Sequence, residues 1–425
     1  MTAYVEVLER LFALRRFGVR PGLGTTRRLL SSLGRPDQAF SVIHIAGTNG
    51  KGSTAAFAES VLRAAGLRTG LYTSPHLCRF TERVRIDGVE VEAATATALL
   101  DEVFALDGEA TFFEVVTAMA MLAFARAGVE VAVLECGLGG RFDSTNVVDA
   151  PLATVVTGIA ADHLDVLGPT LADVAREKAG IWKPGVPAVL ACEDAGARAV
   201  LIAEAQAAGA PITEWGVDLN LDDGGDAGAS YRGPGGALGG LALGLGGAHQ
   251  RRNAGLALAA VALAADRAGW TISDDARRSG LRDVRWPGRL EQLAPDVIVD
   301  AAHNADGAVA LAAALPSLAA GRPIVLLVGV VADKDAAAIL KPLLGLAARV
   351  VCTTPPSPRA LPSARLAALC GGESHPEPAE ALVAARDGKA LVVGCGSIFL
   401  VGELRRLVLG EPCDPLSVQD PAARR

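Results

Sequence analysis

The chain has 425 residues, 51% hydrophobic and 20% charged, which excludes disordered and fibrous classes and describes a well-buried enzyme of about two domains. A net charge of −7 gives no basic footprint for nucleic acid, and the longest apolar run, Ala254 to Ala265, is too short to cross a bilayer. Seven cysteines stand singly without a CxxC pair, which argues against a disulfide framework or structural zinc and fits a reducing cytoplasm.

In chain order, MTAYVEVLERLFALRR reads as an amphipathic helix and lacks the apolar core of a signal peptide. SVIHIA (41–46) reads as a buried strand. A glycine loop follows, then a helix from Ser53 to Ala65 with Phe57, Val61 and Ala64 on one face and Gly66 as its stop. LYTSP, VEVAVLEC (129–136) and ATVVTGI (153–159) read as further strands. TFFEVVTAMAMLAFARAG (111–128) and TLADVAREKAGIW (170–182) read as helices. Residues 216–248 are rich in glycine and show no clear period, so they are assigned a loop or hairpin and no chemistry. A helix spans about Gln250 to Gly269.

The polar stretch Leu281–Arg289, with its Trp-Pro-Gly, marks the domain boundary, giving domains 1–283 and 284–425. Beyond it the alternation restarts with VIVDAA, a helix from about Asp306, PIVLLVGVV, a helix, RVVCTT, two helices, ALVVGCG and a last helix from Ser397. Strand–helix alternation throughout predicts parallel sheets, and the second domain reads as a small doubly wound α/β unit.

HIAGTNGKGST (44–54) joins the first strand to its helix. Its glycine spacing departs from G-x-x-x-x-G-K-[ST], since Gly47 stands too close to Gly50 and Gly52 separates Lys51 from Ser53. A glycine turn carrying a surface lysine is the bland alternative. Three glycines, Lys51 and Ser53-Thr54 at one strand–helix junction favour a variant phosphate cradle, in which bare backbone approaches phosphate and the lysine adds charge.

Ser74, Glu135 and His163 fall just past strands, on the sheet edge where open α/β folds bind ligands. Together they suit magnesium held with nucleotide phosphates. Singly they read as a cap, a solvated strand end and a satisfied polar group. Lys178 is followed by Ala179, Gly180, Ile181 and Trp182, so it is either a surface cation or a buried amine with a depressed pKa.

The ordered set HIAGTNGKGST, TSPHL, ERVRIDG, TFFEVVT, ECGLGGRFDSTN, DHLDVLG, EKAGIWKPG, HQRRNAGLAL, PGRLE, DAAHN and GSIFLVGE runs from near residue 44 to near 405. It resembles folylpolyglutamate synthase and dihydrofolate synthase, the folate branch of the Mur ligase superfamily. The resemblance implies an N-terminal P-loop ATPase domain with a central, mostly parallel sheet and a smaller C-terminal Rossmann-like α/β domain for glutamate ligation. It implies ATP and Mg2+ as cofactors, dihydropteroate or a reduced folate and L-glutamate as substrates, no nucleic acid or membrane partner, and a cytoplasmic monomer. A carboxylate attacks the γ-phosphate, and the amine of glutamate then attacks the acyl phosphate.

By the same resemblance, Gly47, Thr48, Asn49, Gly50, Lys51, Gly52 and Ser53 cradle the ATP phosphates, with Asn253, Arg289 and Asp300 as further ATP contacts. Ser74 and Glu135 hold one magnesium. His163 and a carbamylated Lys178 hold a second, and Lys51, His163 and Lys178 are the catalytic set. Leu23, Gly24, Thr25, Thr26, Thr111, Phe112, Phe113, Glu114, Phe142, Asp143 and Ser144 surround the pterin, and His303 and Ser397 meet the incoming glutamate. Thr25-Thr26 stands where members often carry Leu-Glu, and Ser144 where alanine is frequent. The competing readings are a Mur ligase acting on a UDP-sugar, a nucleotide-binding regulatory ATPase, and a purely structural α/β protein.

Overall fold

Short apolar strands buried on both faces set the architecture, because such strands need helices above and below them. A computed structural model describes residues 2–14, 22–106, 109–386 and 388–415. These divide into two units. The first holds the described residues up to His76, Thr81–Gly244 and Gln250–Arg285. The second holds Leu77–Phe80, Leu245–His249 and the described residues from Trp286 onward. The first unit thus runs two residues past the expected boundary, and two short segments expected in the first domain pack with the second unit.

In the first unit, β1 (Ser41–Ala46), β2 (Thr69–Tyr72), β3 (Val84–Ile86), β4 (Val89–Glu90), β5 (Val131–Glu135), β6 (Ala153–Val156), β7 (Ala188–Leu190) and β8 (Ile212–Glu214) form one sheet. The order is β4-β3-β2-β5-β1-β6-β7-β8. The six strands from β2 to β8 in that order are parallel, and only the β2–β3–β4 edge is antiparallel. From β1 the chain crosses to β2 on one side, whereas β6 pairs on the other. The reversal of strand order opens a crevice at the carboxyl end of β1, where such sheets take ligands.

The helix after β1 runs Lys51–Ala64, two residues longer at its start than its apolar pattern indicated, because Gly50 at φ +86° turns the chain directly into it. The helix Asp274–Asp283 packs across it. There a Cβ on Gly280 would stand 2.5 Å from Val61 Cα, and Ser60 Oγ donates to the Gly280 carbonyl at 2.8 Å. This helix occupies the start of the stretch read from sequence as a linker, and Leu281 is wholly buried. The glycine-rich segment forms a three-stranded antiparallel sheet, β9 (Asn220–Asp222), β10 (Ala229–Arg232) and β11 (Leu238–Leu241). It escaped a period-based reading because its strands are three or four residues long.

The second unit holds β12 (Glu291–Ala294), β13 (Val297–Val299), β14 (Ile324–Val328), β15 (Arg349–Cys352), β16 (Glu373–Ser374) and β17 (Leu391–Cys395), in the order β12-β13-β17-β14-β15-β16. Alternate residues feed two cores. Ile298, Leu326 and Val393 face the helices Ala305–Ala319 and Ala336–Leu344. Val299, Leu327 and Val392 face the helices Pro378–Ala385 and Ile398–Leu409. Among the described residues no helix is long and apolar enough to cross a membrane.

Replacing Gly280 with alanine forces the two helices apart or strains them. We expect G280A to lower stability by about 1–3 kcal/mol, the range for overpacking a close contact. The check is the denaturant midpoint of the first unit's unfolding; an unchanged midpoint contradicts the packing argument.

Candidate active site

The loop 47–50 depends on missing side chains. Gly47 adopts φ +148°, and a Cβ there would stand 2.0 Å from Thr157 Oγ1; a Cβ on Gly50 would stand 2.5 Å from Asn253 Oδ1. Thr157, just past β6, donates from Oγ1 to the Asn49 carbonyl at 2.6 Å. The Thr48 amide donates to the Gly158 carbonyl at 2.9 Å, and Thr48 Oγ1 accepts from the Ala160 amide at 3.1 Å. The loop is therefore laced to the β6 edge. Gly50 supplies no side-chain cap, so the first-turn amides of the helix Lys51–Ala64 face the crevice as an anion site.

Ser53 and Gly52 are buried in that first turn. Gln250 Nε2 donates to Ser53 Oγ at 3.3 Å, and Asn253 Nδ2 donates to Gln250 Oε1 at 2.9 Å, which brings the helix His249–Ala268 against the loop. Sequence reasoning named Asn253 but missed Gln250 and Thr157; both are ordinary polar residues whose importance lies in position alone.

Lys51 Nζ donates to the Thr48 carbonyl at 3.2 Å and stands 3.8 Å from Glu135 Oε1. Glu135, the buried last residue of β5, accepts from the Ser74 amide on Oε2 at 3.1 Å. Lys51, Glu135 and Ser74 thus form one cluster beside the helix N-terminus. A carboxylate and a hydroxyl are hard oxygen donors of the kind Mg2+ takes alongside water and phosphate oxygens. Among the described residues there is no cluster of three or more His, Cys, Asp or Glu side chains that could hold a metal ion.

Lys178 closes the floor. It lies in the helix Leu171–Ala179, which Thr170 and Asp173 begin as a reciprocal capping box, and only 4% of it is exposed. Nζ donates to the Gly47 carbonyl at 2.8 Å. Burial, helped by nearby Lys51, lowers its pKa to about 7. Asp162 and Asp143 pull the other way, so Asp162 joins the neighbourhood without having been singled out in the sequence. His163 sits at φ +53° with its side chain partly exposed, its amide donating to Asp162 Oδ1 at 3.0 Å.

The segments expected around the pterin fall into one neighbourhood. The helix Gly24–Ser32 packs against the helix Phe112–Ala127 and the turn Ser144–Val147. Leu23 precedes that helix's first turn; Thr25 Oγ1 accepts from Arg28, and the buried Thr26 Oγ1 has no partner among the described residues. Thr111 and Glu114 form a capping box, with the Thr111 amide and Oγ1 donating to Glu114 Oε2 at 2.8 and 2.7 Å. Phe112 is wholly buried, Phe113 partly exposed, and Phe142 49% exposed. Ser144 Oγ lies 2.6 Å from Thr117 Oγ1 and 3.2 Å from the Phe113 carbonyl.

In the second unit, Asp300 accepts from the Leu290 and Ala302 amides at 2.9 Å each, which fixes the backbone next to Arg289. His303 Nδ1 donates to the Ala301 carbonyl at 2.8 Å. Ser397 caps the helix Ile398–Leu409, accepting from the Phe399 amide.

A glycine loop at a strand–helix junction of a parallel sheet, followed by a second α/β unit, is an architecture that Mur-type ATP-dependent ligases share, and both units match Mur ligase domains. The Mur ligase middle domain matches residues 45–261, and the Mur ligase glutamate ligase domain matches 288–397. The chain is 36% identical to the dihydrofolate synthase/folylpolyglutamate synthase of Bacillus subtilis, over 95% of this chain and 99% of that one. E. coli FolC in complex with DHPP and ADP superposes with a TM-score of 0.88 at 34% identity, covering 96% and 98% of the two chains. The bifunctional folylpolyglutamate synthase/dihydrofolate synthase of Yersinia pestis, complexed with AMPPNP and Mn ion, gives 0.88 at 31% identity, covering 96% and 98%. The chain belongs to the folylpolyglutamate synthase/dihydrofolate synthase family of ligases, which use ATP and a divalent metal.

Lys178 also sets a pH dependence. Its folded pKa near 7 lies below the ordinary lysine value of 10.5, so between those values the unfolded chain holds a proton that the folded chain has lost. Stability therefore rises with pH across that window. Replacing Lys178 with methionine removes the effect: K178M should be more stable than the parent at pH 7, with the advantage shrinking towards pH 10 in carbonate-free buffer. A stability difference constant with pH contradicts the burial argument.

Proposed function

We propose that the chain joins L-glutamate to the carboxylate of dihydropteroate or a reduced folate through an acyl phosphate formed from ATP. The observation that carries this reading is the cluster of Lys51, Glu135 and Ser74 beside the uncapped helix N-terminus. A carboxylate is a poor acyl donor until one of its oxygens becomes a leaving group, and phosphorylation makes it one. The protein's part is to position the reactants and neutralise charge. The loop 47–53 and the helix amides grip the phosphates, and Lys51 meets the charge that develops on the transferring group.

Ser74 and Glu135 are the proposed holders of one magnesium, which offsets phosphate charge when bound. A neutral amine is the form that carbon dioxide can convert to a carbamate, and the depressed pKa of Lys178 favours that form. A carbamylated Lys178 with His163 is the proposed pair for a second ion. In the pterin neighbourhood, the half-exposed ring of Phe142 and the orphaned hydroxyl of Thr26 are assigned to the ligand together with Phe112 and Phe113, while Thr111 and Glu114 fix the helix start by capping each other. Leu23, Gly24 and Thr25 build its far wall, and Asp143 and Ser144 its turn. Asn253, Arg289 and Asp300 are assigned to ATP, and His303 and Ser397 to glutamate. We assign residues 1–283 to ATP binding and 284–425 to glutamate ligation, with the enzyme acting as a cytoplasmic monomer.

ADP release by purified protein with Mg2+ and glutamate, compared between dihydropteroate and tetrahydrofolate, tests the substrate assignment. At least one should stimulate release; stimulation by neither contradicts it. Replacing Lys178 with alanine should abolish turnover, and acetate should restore part of it by supplying the missing carboxylate. Full activity of K178A without acetate contradicts the ligand role.

A further inference from the structure

The turn between Gly137 and Val147 is held by a chain of side chains that begins on β1, at His44. His44 is wholly buried three residues before Gly47. Its Nε2 lies 2.8 Å from Thr145 Oγ1 and 3.1 Å from Cys136 Sγ. Thr145 Oγ1 donates to Asp143 Oδ1, which also accepts from the Thr145 amide at 3.0 Å. Asp143 Oδ2 accepts from the Leu138 amide at 2.9 Å.

A hydroxyl has one proton, and Thr145 gives it to the carboxylate. A 2.8 Å contact with the same oxygen therefore requires the imidazole to donate, which selects the Nε2–H tautomer. Nδ1 is then a bare imine nitrogen, and it is buried with no partner among the described residues. Burial pushes the ring's pKa down to about 3, so it stays neutral. An apolar side chain at this position would avoid the cost of that orphaned nitrogen. What the histidine supplies in return is a donor aimed at Thr145.

The turn carries this constraint outward. Asp143 is flanked by the half-exposed Phe142 and by Ser144, whose hydroxyl reaches Thr117 and the Phe113 carbonyl. We propose that His44 is a positioning residue for substrate: through Thr145 it orients Asp143 and holds the Phe142–Ser144 backbone in the form that binds the pteridine. The proposal rests on the reading that residues 142–144 take the pteridine.

The test is steady-state kinetics on full-length H44L, H44Q, T145V and D143A, with KM measured separately for folate and for ATP. Glutamine can place an amide N–H near the position of Nε2, so H44Q should stay close to the parent. H44L and T145V should raise the folate KM about tenfold, the size of one lost buried hydrogen bond, and leave the ATP KM within about twofold. If H44L does not fold, H44Q and T145V still decide the question. Unchanged folate KM in T145V, or equal rises for ATP and folate, overturns the proposal. D143A separates the two ideas. If D143A leaves the folate KM unchanged, the reading of the turn falls. If D143A raises it while T145V does not, that reading stands and the role of His44 falls.

Discussion

A lysine amine held out of water against the Gly47 carbonyl is the constraint around which the first unit's catalytic edge is arranged. Desolvation destabilises the ammonium form, and Lys51 nearby adds to the effect. Lys51 is paired with Glu135, while burial lowers the pKa of Lys178 to about 7. The same bond ties the helix Leu171–Ala179 to the phosphate loop, so the elements that carry the loop and the buried amine are positioned as one piece.

The glycines around this point act by what they allow. Gly47 and Gly50 let Thr157 and Asn253 press against the loop, and Gly140 lets its backbone lie against the Lys178 and Glu177 carbonyls. A side chain at any of these positions would push apart elements whose separation defines the site. Capping also fixes geometry here: Thr111 with Glu114, and Thr170 with Asp173, set where two helices begin. The TFFE motif is therefore a structural signal, and we propose that it also marks the substrate region.

The main strands were legible in the sequence because each is an uninterrupted apolar run, as in SVIHIA of the first unit and ALVVGCG of the second, and the loop because three glycines crowd one lysine. The hairpin β3–β4, the helix Ala93–Phe104 and the strands β7 and β8 went unnoticed, since short or mixed segments carry little periodicity. Of the site, residues with unusual chemistry in an unusual setting stood out, Lys178 and His163 among them. Thr157, Gln250 and Thr145 did not, because a threonine or glutamine becomes important only through what the fold brings beside it. The burial of Lys178 was left open by the sequence and is resolved by the fold, which covers it with the loop it supports.

In the proposed reaction, the phosphate gripped by this loop moves onto a carboxylate before glutamate attacks. Substrate labelled with 18O in its reacting carboxylate tests that transfer directly, read by mass spectrometry of the inorganic phosphate released on turnover with ATP, Mg2+ and glutamate. One 18O atom is expected in each phosphate formed with product, since the bridging oxygen of the acyl phosphate leaves with phosphorus. Phosphate free of label, formed at the same rate as amide product, would contradict the transfer.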